Sequence, residues 1–238
     1  MSKIFRIATV IGSQRAARCG PQISQFVQDV IKSQHSTSNP DVKLDFGLLD
    51  IADYKLPLTD ETRVPAQLTD LPAEYDAEPT RAWSRAVAAC DAFVFVTPQY
   101  NWGIPAGLKN ALDHLFHEWK GKPAMIVSYG GHGGGMAAAA LITVLSGMGL
   151  RVVRRPVCLS FPGPEFFGKA SKGLPLDLDA NSDDGTWADR REDIVALWKE
   201  MFGVLVGTHQ VPAAKQEGLR EAWDSVLPPV TTAGQKTT

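Results

Sequence analysis

The chain has 238 residues, with 24 basic and 26 acidic side chains and a formal net charge of −2. This length fits one domain with additions, and it buries enough surface to fold without disulfides or metals. The balanced charge, with no basic stripe or basic tail, argues against a nucleic-acid partner. No apolar stretch approaches the roughly 18 residues that span a bilayer, so no membrane partner is expected either.

The N-terminus and the cysteines predict the compartment. The apolar run at 7–11 is too short for a signal-peptide core, and no small-residue cleavage site follows it. Cys19, Cys90 and Cys158 are odd in number and lack the spacing of a zinc site or a redox motif. We therefore expect a reduced, cytoplasmic compartment.

Strand-like and helix-like segments alternate along residues 1–206. Short apolar runs predict five buried strands, at 4–11, 42–49, 91–97, 123–128 and 150–159. Helical periodicity predicts five helices, at 22–33, 80–90, 106–119, 136–148 and 189–206. Residues 51–79 and 160–186, which contain several prolines, predict loops. Residues 207–238 predict a partly disordered C-terminal tail with a short helix at 216–226.

This alternation predicts an α/β fold. Five buried strands joined by helices favour a five-stranded parallel sheet with helices on both faces, a flavodoxin-like three-layer sandwich of strand order 2-1-3-4-5. In such a sheet the ligand lies at the carboxyl ends of the strands, where the winding direction reverses between strands one and three. The segments that follow strands one, three and four are therefore candidate binding loops.

The segment after the first strand predicts an anion-binding turn. Residues 12–20 read Gly-Ser-Gln-Arg-Ala-Ala-Arg-Cys-Gly and lead directly into a helix, whose first N–H groups attract anions. Ser13 offers a hydroxyl, and Arg15 is suited to pair with a phosphate. An ordinary strand-to-helix turn with two solvated arginines is the alternative. No Gly-Lys-Ser or Gly-Lys-Thr follows, which disfavours a P-loop nucleotidase.

The segment after the third strand, 98–105, predicts a site for a planar ring. Tyr100 and Trp102 can cover a ring face, and Asn101 offers both a donor and an acceptor. The alternative is a proline-bounded loop whose aromatic side chains pack on the core or on a partner subunit.

The segment after the fourth strand contains five glycines within 130–135, which indicates close backbone approach or unusual dihedral angles. Three alternatives compete there. Residues 132–135 match an esterase oxyanion-hole string, but the chain lacks a Gly-x-Ser-x-Gly elbow. Residues 133–138 mimic a dinucleotide fingerprint, although Arg154 and Arg155 fall inside the fifth predicted strand. A plain tight turn is the third.

Together these segments resemble the NADPH-dependent FMN reductase family, over roughly residues 3–159. The family's Gly-Ser-x-Arg turn is matched at 12–15. Its Pro-(Glu/Gln)-Tyr-Asn string, followed by a proline and Leu-Lys-Asn-Ala-Leu-Asp, is matched at 98–113. Its serine and glycines after strand four are matched at Ser128, Gly130 and Gly131. The chain lacks the serine or asparagine that many members place near Cys19, and Arg18 is the available substitute.

The resemblance implies an FMN-dependent NAD(P)H oxidoreductase of the FMN reductase or quinone reductase type. Two electrons from NADPH or NADH would pass via flavin N5 to a small-molecule acceptor such as a quinone, a flavin, an azo compound or a metal oxyanion. Hydride transfer requires no side-chain acid or base, so no catalytic residue is expected. The family also implies a homodimer or homotetramer.

The resemblance also assigns cofactor-binding residues. The phosphate contacts come from the first turn, through Ser13, Arg15, Arg18, Cys19 and Gly20. The isoalloxazine contacts come from Pro98, Gln99, Tyr100 and Asn101. The other side of the flavin is closed by Ser128, Gly130 and Gly131.

Two functions of other classes stay open at this point. An FMN-binding electron carrier or redox sensor without turnover is one, although such carriers are usually more acidic than this chain. A flavin-free interaction protein that retains only the fold is the other. His114, His117 and Glu118 are close enough along a helix to share a metal, but no third ligand cluster accompanies them, so no metal is expected.

The role of Arg15 at the phosphate can be tested by substitution. Arg15→Ala removes a charge-assisted hydrogen bond and should weaken FMN binding about tenfold or more, as measured by an FMN titration. Arg63→Ala, which removes an arginine outside the three segments, is the control. Equal FMN affinities for the two variants would contradict the phosphate assignment.

Overall fold

A computed structural model of the chain describes residues 4–38, 42–58 and 61–207. The strands are β1 (Ile4–Ile11), β2 (Lys43–Asp50), β3 (Ala92–Pro98), β4 (Pro123–Gly130), β5 (Arg151–Val152) and β6 (Val157–Ser160). The helices are α1 (Gly20–Ser38), α2 (Glu78–Ala88), α3 (Ala106–Asp113), α4 (Gly135–Gly147), α5 (Pro164–Lys172) and α6 (Arg191–Leu205). The predicted helix at 216–226, with most of the predicted tail, lies outside the described residues.

The sheet is parallel and has the order β2-β1-β3-β4-β5, as predicted, with β6 also paired to β4. The predicted fifth strand is thus two short strands along one edge. Ala124 of β4 lies opposite Val152, and Val127 lies opposite Val157, so the edge holds two extra residues between them. Arg154 and Arg155 lie in this interruption, not inside a strand. Pro156, which has no N–H for the ladder, follows them.

Each face of the sheet buries its own apolar cluster, because successive residues of a strand point to opposite faces. Ala92, Val94 and Val96 of β3 pack in the cluster that includes α1 and α6. Phe93 and Phe95 pack in the cluster that includes α2, α3 and α4. All residues of β3 are buried, which accounts for its continuous apolar sequence.

The prediction of a loop over 160–186 is wrong for the first half of this range, which contains the helix α5. Pro164 stands in the first turn of this helix, where its missing N–H costs nothing. Gly173 ends it in the left-handed conformation, with φ of 67°. Phe166 and Ala170 pack against the cluster that includes α1. The proline and the glycine are therefore a helix signal that the sequence interpretation missed.

The predicted helix at 106–119 ends early, at Asp113. Glu118 turns inward, and its carboxylate accepts hydrogen bonds from the Tyr75 hydroxyl at 3.0 Å and the Ser84 hydroxyl at 2.5 Å. These contacts join the helix end to α2 and the preceding loop. A ring nitrogen of His117 lies 3.0 Å from the carbonyl oxygen of Ala66.

The described part of the chain offers neither a metal cluster nor a membrane-spanning helix. Across 4–38, 42–58 and 61–207, no three or more His, Cys, Asp and Glu side chains are grouped to hold a metal ion. Over the same ranges, no helix combines the length and the apolar character needed to cross a membrane.

Candidate functional site

The three predicted binding segments meet at one edge of the sheet. They follow β1, β3 and β4, which are neighbours in the sheet, at their carboxyl ends. Gly12 N donates a hydrogen bond to the Val96 carbonyl oxygen at 2.9 Å, and Gln99 N donates to that of Tyr129 at 3.3 Å. Main-chain contacts therefore hold the three segments side by side.

The first turn brings a buried hydroxyl to the start of α1. Ser13 is fully buried, and its Oγ forms no hydrogen bond. A Cβ atom on Gly20 would collide with this Oγ and would lie 2.8 Å from the Tyr129 hydroxyl, so only glycine fits there. A buried hydroxyl without a partner, in a turn that opens a helix, fits an anion such as a phosphate group.

Tyr129 forms the floor beneath this turn. Burial raises the pKa of Tyr129 far above its ordinary value, so its hydroxyl stays protonated. The neighbouring Ser13 hydroxyl opposes this rise, although the geometry between the two groups falls short of a hydrogen bond. On its other side the Tyr129 ring stacks on Phe161 at 6.2 Å between centroids.

Arg18 is held by Asp50, which the sequence interpretation did not single out. The two terminal nitrogens of Arg18 donate to the Asp50 carboxylate at 2.8 and 2.5 Å, and one also donates to the carbonyl oxygen of Ser13. The hydrogen bond to Asp50 raises the pKa of Arg18. Asp50 ends β2, so this ion pair ties the first turn to a fourth strand end.

Arg15 projects from the same turn and is exposed. Its guanidinium carbon lies 3.8 Å from the centroid of the Tyr100 ring, within the range of a cation–π contact. Burial raises the pKa of Tyr100, and the charge of Arg15 opposes the rise. Arg15 thus links the first segment to the second.

Cys19 is buried against the core cluster that includes α1. Burial raises the pKa of Cys19 to about 11. Its thiol is therefore protonated at neutral pH and packs as an apolar group, and what Cys19 offers a ligand is its main chain at the start of α1.

The second segment contains a two-residue turn. Tyr100 and Gly103 exchange main-chain hydrogen bonds at 3.1 and 3.0 Å. Between them, Asn101 and Trp102 have φ angles of 47° and 66°. Two positive φ angles define a type I′ turn, a geometry that favours asparagine and glycine. Both side chains are exposed at the sheet edge.

Gln99 connects the second segment to the third. Its Oε1 accepts hydrogen bonds from the backbone N–H groups of Met136 at 3.0 Å and Ala137 at 3.2 Å, which caps the first turn of α4. Gln99 Oε1 and the Gln99 main-chain N–H are therefore both occupied within the protein, and its carbonyl oxygen and Nε2 remain for a ligand.

The third segment is a glycine turn organised by Ser128. The buried Ser128 hydroxyl donates to the Gly133 carbonyl oxygen at 2.8 Å. Gly134 has φ of 82°, and a Cβ atom there would lie 2.9 Å from the Ser128 Cβ and 3.0 Å from Tyr129 N. The close packing within this tight turn therefore explains why residue 134 is a glycine. At Gly130 and Gly131, in contrast, an added Cβ atom would meet no atom within 4 Å, so both positions border open space.

Gln14 supports the site from the side of α3. Its side chain occupies the space that a Cβ atom of Gly107 would fill, and its Nε2 donates to the Ile51 carbonyl oxygen at 3.2 Å. The glutamine lies inside the Gly-Ser-x-Arg string, where the sequence interpretation treated it as a variable position.

The segment after α5 supports the first turn from behind. Gln22 donates to the Leu174 carbonyl oxygen at 3.0 Å and accepts from Leu176 N at 2.9 Å. A Cβ atom on Gly173 would lie 3.1 Å from Arg18 N. Residues 173–176 therefore pack directly against the turn, a contact that no local sequence signal indicates.

The comparisons with known proteins identify the family. The family model described as NADPH-dependent FMN reductase matches residues 5–161. The chain belongs to this family. The NAD(P)H-dependent FMN reductase LOT6 of Saccharomyces cerevisiae is 46% identical over 151 residues, which covers 63% of this chain and 78% of that protein.

The match to a second relative covers a larger part of the chain. The NAD(P)H-dependent FMN reductase ntnL of Nectria sp is 36% identical over 204 residues, which covers 84% of this chain and 96% of that protein. Among solved structures, FerB of Paracoccus denitrificans, a flavoenzyme NAD(P)H:(acceptor) oxidoreductase, has a TM-score of 0.58 at 21% identity. The match covers 86% of this chain and 98% of FerB, which shows the shared fold.

The glycine turn of this FMN reductase yields a stability prediction. Gly134→Ala places a Cβ atom against the backbone of Tyr129 at a positive φ, so it should lower the free energy of unfolding by about 1–3 kcal/mol. Urea unfolding of the protein without added FMN measures the change. Gly131→Ala, at an open position of the same turn, is the control and should stay within about 0.5 kcal/mol of the wild type. Equal losses would contradict this account of the turn.

Proposed function

We propose that the chain is an FMN-dependent NAD(P)H oxidoreductase of the FMN reductase or quinone reductase type, with the sheet-edge site as its FMN site. The observation that carries the proposal is the buried, unpartnered Ser13 hydroxyl at the start of α1, beside two segments suited to a planar ring. Bound FMN would supply the chemistry of this activity, which is to accept a hydride from NADPH or NADH and pass two electrons on to an acceptor. The acceptor is a small molecule, such as a quinone, a flavin, an azo compound or a metal oxyanion.

The first turn holds the phosphate in this proposal. Ser13 Oγ and the main-chain N–H groups at Cys19 and Gly20 bind its oxygens, and the helix N-terminus adds a favourable partial charge. Arg15 supplies a full positive charge from the exposed side. Arg18 acts through the turn, because its contacts with Asp50 and the Ser13 carbonyl oxygen fix the turn's shape.

The second and third segments hold the isoalloxazine ring. Residues 98–101 would border one side of it, with the Gln99 carbonyl oxygen and the main chain of Asn101 available for contact, since Gln99 Oε1 is engaged with α4 and the Gln99 and Tyr100 N–H groups bond within the protein. Gly130 and Gly131 allow the backbone to approach the other side closely, and Ser128 keeps their turn in place. No side-chain acid or base is assigned, because the protein acts by binding, orienting and desolvating the reactants.

The proposal also includes the cellular compartment and the classes of partner. Cys19, Cys90 and Cys158 are all free thiols, which is consistent with a reducing, cytoplasmic compartment. The net charge of −2 gives no electrostatic basis for binding nucleic acid. The partners are thus small molecules and further copies of the chain.

A homodimer or homotetramer is part of the proposal, and α4 supplies the argument for it. This helix has no charged residue, and its outward face exposes Met136, Ala139, Ala140 and Thr143. A helix that is apolar on all sides is normally covered. We assign this outward face to contact with a second copy.

The activity proposal predicts a two-step spectral result. The purified protein should bind added FMN, and NADPH added without oxygen should bleach the yellow absorbance of the bound flavin. Bound flavin that NADPH does not bleach would favour an electron carrier or sensor, for which the family comparisons offer no support. Absence of FMN binding would overturn the site itself.

The proposal that α4 contacts a second copy of the chain predicts a change in the mass of the assembly. Ala140→Glu places a charge on the outward face of α4 and should shift the protein toward monomer, as measured by size-exclusion chromatography with light scattering. Ala196→Glu on α6 is the matched control, because it makes the same change away from α4. An unchanged mass for Ala140→Glu would remove α4 from the interface.

A further inference from the structure

Trp102 and His132 form a stacked pair at the mouth of the site. Trp102 belongs to the type I′ turn after β3, and His132 belongs to the glycine turn after β4. Their rings are nearly parallel, with an interplanar angle of 13° and centroids 5.8 Å apart. The pair thus joins the two segments assigned to the isoalloxazine ring, on their exposed side.

The position of Trp102 is unfavourable in two independent ways. Its φ of 66° lies in the left-handed region, where a bulky side chain is an outlier. Its side chain is also 67% exposed, so the indole contributes little to the core. An asparagine or glycine suits this turn position better. Because folding does not account for an indole here, the outlier points to a role at the site.

The neighbouring aromatic ring is less available to a ligand. Tyr100 is half-buried, and the guanidinium of Arg15 covers one of its faces at 3.8 Å. Trp102 has one face toward His132 and is otherwise open to solvent. The stack also restricts the indole's rotation, so less side-chain entropy is lost when a ligand binds.

We propose that Trp102, positioned by His132, is a specificity-determining residue that binds the planar ring of an aromatic electron acceptor at the mouth of the site. This inference rests on the proposed function, because it names the acceptor surface of the same site. A planar quinone gains a stacking contact with the indole, whereas a compact anion without an aromatic ring gains none. The residue therefore selects among acceptors without taking part in the transfer of electrons.

The test uses binding to the oxidised, FMN-loaded protein, where no turnover occurs. Titration calorimetry measures the affinity of menadione, a planar naphthoquinone. Trp102→Ala should weaken menadione binding about 5- to 10-fold, while Trp102→Phe retains most of the affinity. His132→Ala should cause a smaller loss, since it acts through the orientation of Trp102. The affinity for FMN should be unchanged in all three variants.

A second readout separates stacking from general damage. The flavin is reduced by dithionite, and its reoxidation is followed with menadione and with ferricyanide, which has no aromatic ring. Trp102→Ala should require a several-fold higher menadione concentration and react with ferricyanide at the wild-type rate. Trp102→Gly, which suits the positive φ, should behave like Trp102→Ala and thus excludes a folding defect. Phe167→Ala, which removes another exposed aromatic side chain, on α5, is the control.

The outcomes distinguish this inference from the proposed function. Menadione affinity at the wild-type level in Trp102→Ala overturns the inference while leaving the oxidoreductase intact. Equal losses with menadione and ferricyanide overturn it as well. A wild-type protein that binds no FMN, or whose FMN is not reduced by NADPH, overturns the proposed function and the inference with it.

Discussion

The close approach of α1 to the ends of β1 and β4 is the contact on which the site depends. Gly20 allows it, because a side chain there would collide with the Ser13 hydroxyl and with Tyr129. The approach buries Ser13, directs the helix N-terminus at the sheet edge and places Tyr129 under the turn. The anion binding that we propose at this edge would therefore follow from backbone packing, to which charged side chains are additions.

Side-chain hydrogen bonds to distant elements hold the other segments of the site in place along the sheet edge. Arg18 binds Asp50, Gln99 caps α4, and Gln22 holds the segment after α5. Each of these contacts connects a binding segment, or the helix that follows it, to a separate element, so the segments cannot move independently without losing hydrogen bonds. A rigid edge suits a cofactor site, because binding then costs little ordering of the protein.

The fold and the meeting of the three candidate segments at one sheet edge were predictable from sequence because their signals are local. Apolar runs mark the strands, and turn residues such as Gly12, Gly133 and Gly134 follow within four residues of a strand end. The hydrogen bonds between these distant residues were not predictable, because Arg18 and Asp50 are 32 residues apart in sequence and Gln22 and Leu174 are 152 apart. The early end of α3 was not predictable for the same reason. Glu118 turns inward to bond Tyr75 and Ser84, which are both distant from it in sequence. The helix α5 differs, because its signals, Pro164 and Gly173, are local and were missed.

Side chains that belong to the family's motifs play unequal parts at this edge. Those of Gln99, Arg18 and Ser128 bond to the protein itself, and Cys19 is packed as a protonated thiol. The buried Ser13 hydroxyl has no partner within the protein, and Arg15, Trp102 and His132 are exposed at the same edge. Flavin chemistry needs position more than acid–base groups, so the first set shapes a common frame. In our proposal, differences in acceptor preference arise from the second set, above all from the strained position of Trp102, whose replacement is expected to leave the frame intact.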